Sequence, residues 1–152
     1  MKQLAIYLVL LLLVSGNLFA QQNTVVDSLK TMLTADLTDE QRVDIYNAIA
    51  HEYRNQDSSL TASFTQEAIQ LSDEIGYPAG KSDAYYCIGW ATMIKGHYAI
   101  SEKLFQTALA VAQEGLYKKG EATAFNGLGV ISYYQGDFPN ALDRNKQCIS
   151  RT

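Results

Sequence analysis

The sequence predicts an all-α fold, a solenoid of antiparallel helix pairs with three pairs behind a leading helix, and three observations carry that prediction. The first is a repeat of period forty: Glu74, Tyr77, Gly80, Ala84, Gly89 and Gly96 are answered by Glu114, Tyr117, Gly120, Ala124, Gly129 and Gly136. Self-similarity at such a spacing is the mark of stacked units and not of one globular core. The second is that apolar residues recur at intervals of three and four through each unit, the period of a helix face. The third is that the linkers between these stretches are short, so successive helices must lie antiparallel to their neighbours.

The first twenty residues read as an export signal. Lys2 supplies a positive start, Leu4 through Val14 is an unbroken apolar run, and Ser15-Gly16-Asn17 interrupts it before a cleavage point after Ala20. The run falls short of the roughly 20 apolar residues of a membrane-spanning helix. The expected location is therefore outside the inner membrane, in the periplasm, with an anchored form only if the segment is retained. Loss of Lys2 with the signal takes the formal charge from −4 to −5. A dispersed acidic balance of that kind disfavours a nucleic-acid partner. Cys87 and Cys148 fall at different positions of two repeats, which favours two small buried side chains over a disulfide.

Residues 21–38 are expected to form the leading helix and its linker. Val25, Val26, Leu29, Met32 and Leu33 make one apolar stripe, fit to cover the open end of a stack. Residues 39–152 are the repeat domain, with units at about 39–77, 78–117 and 118–152. Thr38 and Gln41 make a capping box for the first helix of unit one, whose inner face carries Val43, Tyr46, Ile49, Ala50 and Tyr53. Its partner, at about 59–75, places Leu60, Phe64, Ala68, Leu71 and Ile75 on one stripe and ends at Gly76, with Pro78 preventing continuation. Helices at about 81–94 and 98–113 form unit two around a turn at Gly96, and helices at about 121–135 and 138–150 form unit three around Gly136-Asp137.

Gly89 and Gly129 lie inside helices, where each costs on the order of 1 kcal/mol relative to alanine. A cost repeated at one place in two units implies a steric cause. The missing side chain lets the partner helix approach, and Ala50 does the same in unit one, with Phe64, Phe105 and Ala108 on the partner helices.

The run Tyr85, Ile88-Gly89, Gly96-His97-Tyr98, Phe105 and Ala108 resembles the tetratricopeptide repeat (TPR), as does Phe125, Leu128-Gly129, Gly136-Asp137-Phe138 and Ala141. Tyr46, Ile49-Ala50, Tyr53 and Ala68 fit the same pattern in unit one. The resemblance implies a right-handed α-solenoid and a protein-binding role. It also points to the exported sensory TPR regions of Bacteroidetes-type signalling proteins, although no kinase, cyclase or regulatory output domain accompanies it here. The pattern departs from the family at Thr92 and Ser132, where an aromatic is usual, and at Asn145 and Cys148, where Phe and Ala are usual. The outer apolar face of the third unit is then expected to be exposed, open to a second copy of the chain.

In TPR stacks the first helix of each pair lines the concave surface. Transferred to this sequence, that surface takes in Asn47, His51 and Arg54, then Tyr86, Trp90 and Met93, then Asn126, Val130 and Tyr133. Rings supply contact area and amides pair with backbone groups, so the expected partner is an extended peptide or protein segment. The same residues also suit ordinary packing between helices, and stripe periodicity alone favours that reading. The family's lysine-and-asparagine clamp for a terminal carboxylate is not reproduced, since His51 and Trp90 stand at asparagine positions.

No catalytic constellation accompanies this pattern. His51-Glu52 lacks the second histidine of a zinc helix, position 55 being Asn, and His97 sits alone in a turn. No serine stands in a Gly-x-Ser-x-Gly elbow, and Gly127-Leu128-Gly129 lies mid-helix. The expectation is a noncovalent scaffold with no cofactor, no metal and no catalysis. Two alternatives stand beside it, a structural module that self-associates and an enzyme with an unrecognised site.

Overall fold

Several helix starts in this chain are set by side-chain caps or a proline, and several helix ends by glycines. A computed structural model describes residues 24–151. The export signal expected at residues 1–20 lies outside them. Among the described residues there are seven helices and no strand: α1 (24–32), α2 (Asp39–Tyr53), α3 (Ser58–Ile75), α4 (Pro78–Ile94), α5 (Tyr98–Glu114), α6 (Lys118–Tyr134) and α7 (Phe138–Ile149). The capping box at α2 is present, with the Gln41 amide N–H donating to Thr38 Oγ1 at 3.2 Å and the Thr38 N–H donating to Gln41 Oε1 at 3.0 Å. Asp57 caps α3 through the N–H groups of Ser59 and Leu60. Gly76, Gly96 and Gly136 take φ of 67°, 81° and 77°, the left-handed conformation that turns the chain at helix ends.

Two boundaries differ from the sequence expectation. α4 begins at Pro78 and not near 81, because a proline at the first helical position loses no intrahelical hydrogen bond. α6 likewise begins at Lys118, one turn early. α1 is shorter than its stripe: Val26 is buried, whereas Val25 and Met32 remain exposed.

α2 packs on α3, α4 on α5 and α6 on α7, and each second helix also packs on the first helix of the next unit. First helices touch one another, α2 with α4 and α4 with α6, but α3 and α5 do not. The first helices therefore form a close inner layer and the second helices a spread outer one.

The contact stripe of α3 is more polar than expected. Thr61, Thr65, Ala68 and Ser72 are the buried set, while Leu60, Phe64, Leu71 and Ile75 are half-buried at its flanks. Both threonine hydroxyls donate to carbonyls one turn back, Thr61 to Asp57 and Thr65 to Thr61, whereas the buried Ser72 hydroxyl has no hydrogen-bond partner among the described residues. In α5 the buried stripe is Ser101, Phe105, Ala108 and Ala112.

Phe105 is the centre of the main core, with Met93, Leu128 and Ile131. Its ring is fully buried against two glycines: a Cβ on Gly89 would lie 2.8 Å from Cε1, and one on Gly127 would lie 2.8 Å from the same atom. Gly89 therefore does admit its partner helix. Gly129 plays a different part, facing Asn145 Oδ1 and the α7 backbone in place of a bulky apolar side chain. α7 buries only Ala141 and leaves Phe138, Leu142 and Ile149 in solvent. Cys87 and Cys148 are both free thiols.

Candidate peptide-binding groove

The inner layer of α2, α4 and α6, closed at one end by Val25 and Leu29 of α1, surrounds a groove of about 850 Å³. Two kinds of side-chain arrangement line or adjoin it. The first is a tyrosine-aspartate pair repeated from unit to unit. Tyr77 Oη donates to Asp44 Oδ1 at 3.1 Å, and Tyr117 Oη donates to Asp83 Oδ2 at 3.2 Å. Each tyrosine precedes a first helix and lays its ring over a glycine of that helix's first turn, Gly80 or Gly120, where any Cβ would strike the ring.

Burial and the carboxylate of Asp44 push the Tyr77 phenol up to about 12. Burial and Asp83 push Tyr117 up likewise. Both tyrosines are therefore hydrogen-bond donors throughout the physiological range. Asp83 is raised above an ordinary carboxylate by its burial, against the opposing effects of the Tyr117 hydroxyl and the Lys119 ammonium.

The second arrangement joins residues of all three units. The Arg54 guanidinium, at the end of α2, lies 5.1 Å from the Trp90 ring centre and 6.0 Å from that of Tyr86. Trp90 is pinned by its indole N–H, which donates to Asn55 Oδ1 at 2.9 Å. Tyr86 packs on Phe105 with ring centres 5.6 Å apart, and its hydroxyl interacts with both Arg54 and Asn126. Burial raises the Tyr86 phenol, opposed chiefly by the Arg54 charge.

Of the nine residues read from the sequence, Arg54, Tyr86, Trp90 and Asn126 thus come together. His51 stands exposed on the rim, 3.9 Å from Glu52, with its pKa lowered by partial burial and by Arg54. Asn47 is buried, and its amide donates to the Gly80 carbonyl at 2.8 Å, tying α2 to α4. Met93 lies in the core beside Phe105, and Val130 packs against that core. Tyr133 is outside the groove, in an exposed aromatic group with Tyr134 and Phe138.

The groove residues that sequence reading passed over include Asp44, Asp83, Tyr77, Tyr117, Lys119 and Thr123. The equivalence of Tyr77 and Tyr117 was visible in the forty-residue repeat, but their direction depends on the turn geometry before α4 and α6. A second, smaller cavity of about 530 Å³ adjoins the first through Lys119 and Thr123, and Lys118, Asn126, Cys148 and Arg151 complete its walls. Beside it Glu121 is covered by two cations, with Lys118 Nζ at 2.8 Å and Arg151 Nε at 2.6 Å, and it is held below the ordinary carboxylate range chiefly by its hydrogen bond to Lys118. Burial pushes the Cys87 thiol up to about 12, so it stays protonated.

The solved TPR domain of Arabidopsis FLU superposes on this chain with a TM-score of 0.63 at 17% identity, over 75% of this chain and 97% of that one. The fold is TPR-like. No protein-family profile matches the sequence, and no curated protein is significantly similar to it. In the TPR-like arrangement the groove between α2, α4 and α6 is the surface built from first helices. Among the described residues no group of three or more His, Cys, Asp or Glu side chains could hold a metal ion, and no helix is long and apolar enough to cross a membrane.

Proposed function

We propose that this protein is a noncovalent scaffold whose groove binds an extended peptide or protein segment, as the sensory or adaptor part of an exported signalling protein. The observation that carries the binding reading is the linkage of Arg54 and Tyr86, which line a groove large enough for several residues of peptide, to Trp90 behind them and to Asn126 in the adjoining cavity, across three units. Aromatic area flanked by amides and charges is the composition that recognises extended backbone with side-chain selectivity. The export reading rests on Lys2, the apolar run to Val14 and the break at Ser15-Gly16-Asn17. Selection from a displayed random-peptide library tests the first part. Enriched peptides should bind the protein and lose about tenfold in affinity with Asn126→Ala or Lys119→Ala, a typical loss for one interface polar contact. Failure to enrich any sequence, or binding indifferent to both substitutions, would remove the groove from the account. Fractionation of expressing bacteria tests the second part, with shortening of the chain at about Ala20 expected in the periplasmic fraction.

One observation favours the self-associating reading as a second possibility: Phe138, Leu142 and Ile149 stand exposed on α7. Molar mass across a dilution series decides it. A dimer that dissolves on Leu142→Ser with Ile149→Ser supports self-association, and a monomer at every concentration ends it.

A further inference from the structure

We infer that Arg54 is the anchor for an anionic side chain of the bound segment, so that the groove selects peptides carrying Asp or Glu. This rests on the peptide-binding reading above and adds the chemistry of the ligand. The guanidinium is placed against two rings, and Trp90 is itself held by Asn55, so Arg54 is oriented before any ligand arrives. A planar, oriented guanidinium presents paired N–H groups that match a carboxylate in bidentate fashion.

Arg54 also has no ion pair among the described residues, although acidic side chains share its groove. Those carboxylates are engaged elsewhere: Asp44 accepts from Tyr77, Asp83 accepts from Tyr117 with Lys119 beside it, and Glu52 lies against His51. Arg54 Nε is buried with no hydrogen-bond partner. The hydrogen-bonding capacity of this cation is therefore met only in part within the protein, by the Tyr86 hydroxyl, in a site where cation–π contact has already removed part of its hydration. Arg54 lines the groove beside His51, Tyr86 and Cys87.

The test uses Trp90, the single tryptophan of the chain, as the reporter, since it stacks on the anchor itself. The full chain is titrated with capped heptapeptides of alternating Glu and Ala or alternating Lys and Ala, and separately with inorganic phosphate. The Glu peptide is expected to change Trp90 emission saturably, more weakly as salt rises. Arg54→Gln should weaken its binding by about ten- to a hundredfold, the range for losing a charge-assisted hydrogen bond. Arg54→Lys, which keeps the charge and loses the planar fork, should weaken it several-fold with helix content intact, and it decides the matter if the glutamine variant does not fold.

Equal binding of the Lys peptide, or Glu-peptide binding that ignores both substitutions, would overturn the anchor while leaving the groove in place. A phosphate response equal to the peptide response would make the site one for a free anion and would also overturn the proposal. Binding of neither peptide, together with library selection that enriches nothing, would bring down both readings.

Discussion

Phe105 is the side chain on which most of the packing converges, because two glycines from different units meet its ring. Alanine at Gly89 would gain about 1 kcal/mol of helix propensity, but its Cβ would stand 2.8 Å from a ring that is fully buried and hemmed in by Gly127. Overpacking of this kind costs typically about 1–3 kcal/mol, so Gly89→Ala is expected to lower the urea midpoint. Adding Phe105→Leu should make the loss smaller than the sum of the single effects, since the two sites share one contact. Simple additivity in that cycle would show that the glycines are not there for the ring.

Leu116 presents the opposite situation, being the single described residue other than glycine at positive φ, at 53°, and 80% exposed. The neighbouring Gly115 cannot trade places with it, because a side chain there would strike Pro78 at 2.6 Å. A left-handed conformation costs a leucine about 1–2 kcal/mol, partly offset by the greater unfolded-state freedom of glycine. Leu116→Gly should therefore stabilise the fold by about 0.5–1 kcal/mol in urea denaturation, with no packing lost.

At the scale of elements, α7 meets α6 through Ala141 and through Asn145 against Gly129, and Arg151, just past its end, reaches Glu121, which Lys118 of α6 also covers. Glu121 is held below its ordinary value of 4.5. A depressed carboxylate contributes stability that is fully present above its unfolded value and disappears as pH falls through the folded one. Glu121→Gln is thus expected to lower the urea midpoint at pH 7, and the gap to the parent protein should close once the pH drops below 4.5 and through the lowered value. A gap unchanged at acid pH would mean that the ion pairs do not fasten α7.

The helices themselves were legible, because caps and glycines are local signals: Thr38, Gly76, Gly96 and Gly136 all act where the sequence places them. The α3 stripe was not. Apolar periodicity points to Leu60, Phe64 and Leu71, but close approach of two helices rewards small residues, and Thr61 and Thr65 satisfy their hydroxyls on the backbone one turn back. Half of the groove was missed for a related reason. Asp44 and Asp83 look like solvated helix surface until the tyrosine of the next unit arrives above each of them.

Across the whole molecule, stability in a stack is a sum of units and of the interfaces between them. α4 and α6 each have helices on several sides, whereas α1 and α7 close the described stack at either end. Amide hydrogen exchange should therefore be slowest in α4 and α6 and fastest in α1 and α7. Uniform protection from α1 to α7 would indicate a single cooperative block with no weaker ends.

The sequence by itself determined the helix pairs, their number and their antiparallel order, because period, caps and turn glycines act over distances of a few residues. Which side chains face one another across units was decided only by the tertiary structure. Arg54 meets Trp90 and Tyr86, and Tyr117 meets Asp83, through the relative placement of first helices thirty or more residues apart. That placement depends on how Phe105 seats between Gly89 and Gly127 for units two and three, and on Asn47 reaching the Gly80 carbonyl for units one and two, matters of three-dimensional fit to which no local spacing in the chain is sensitive.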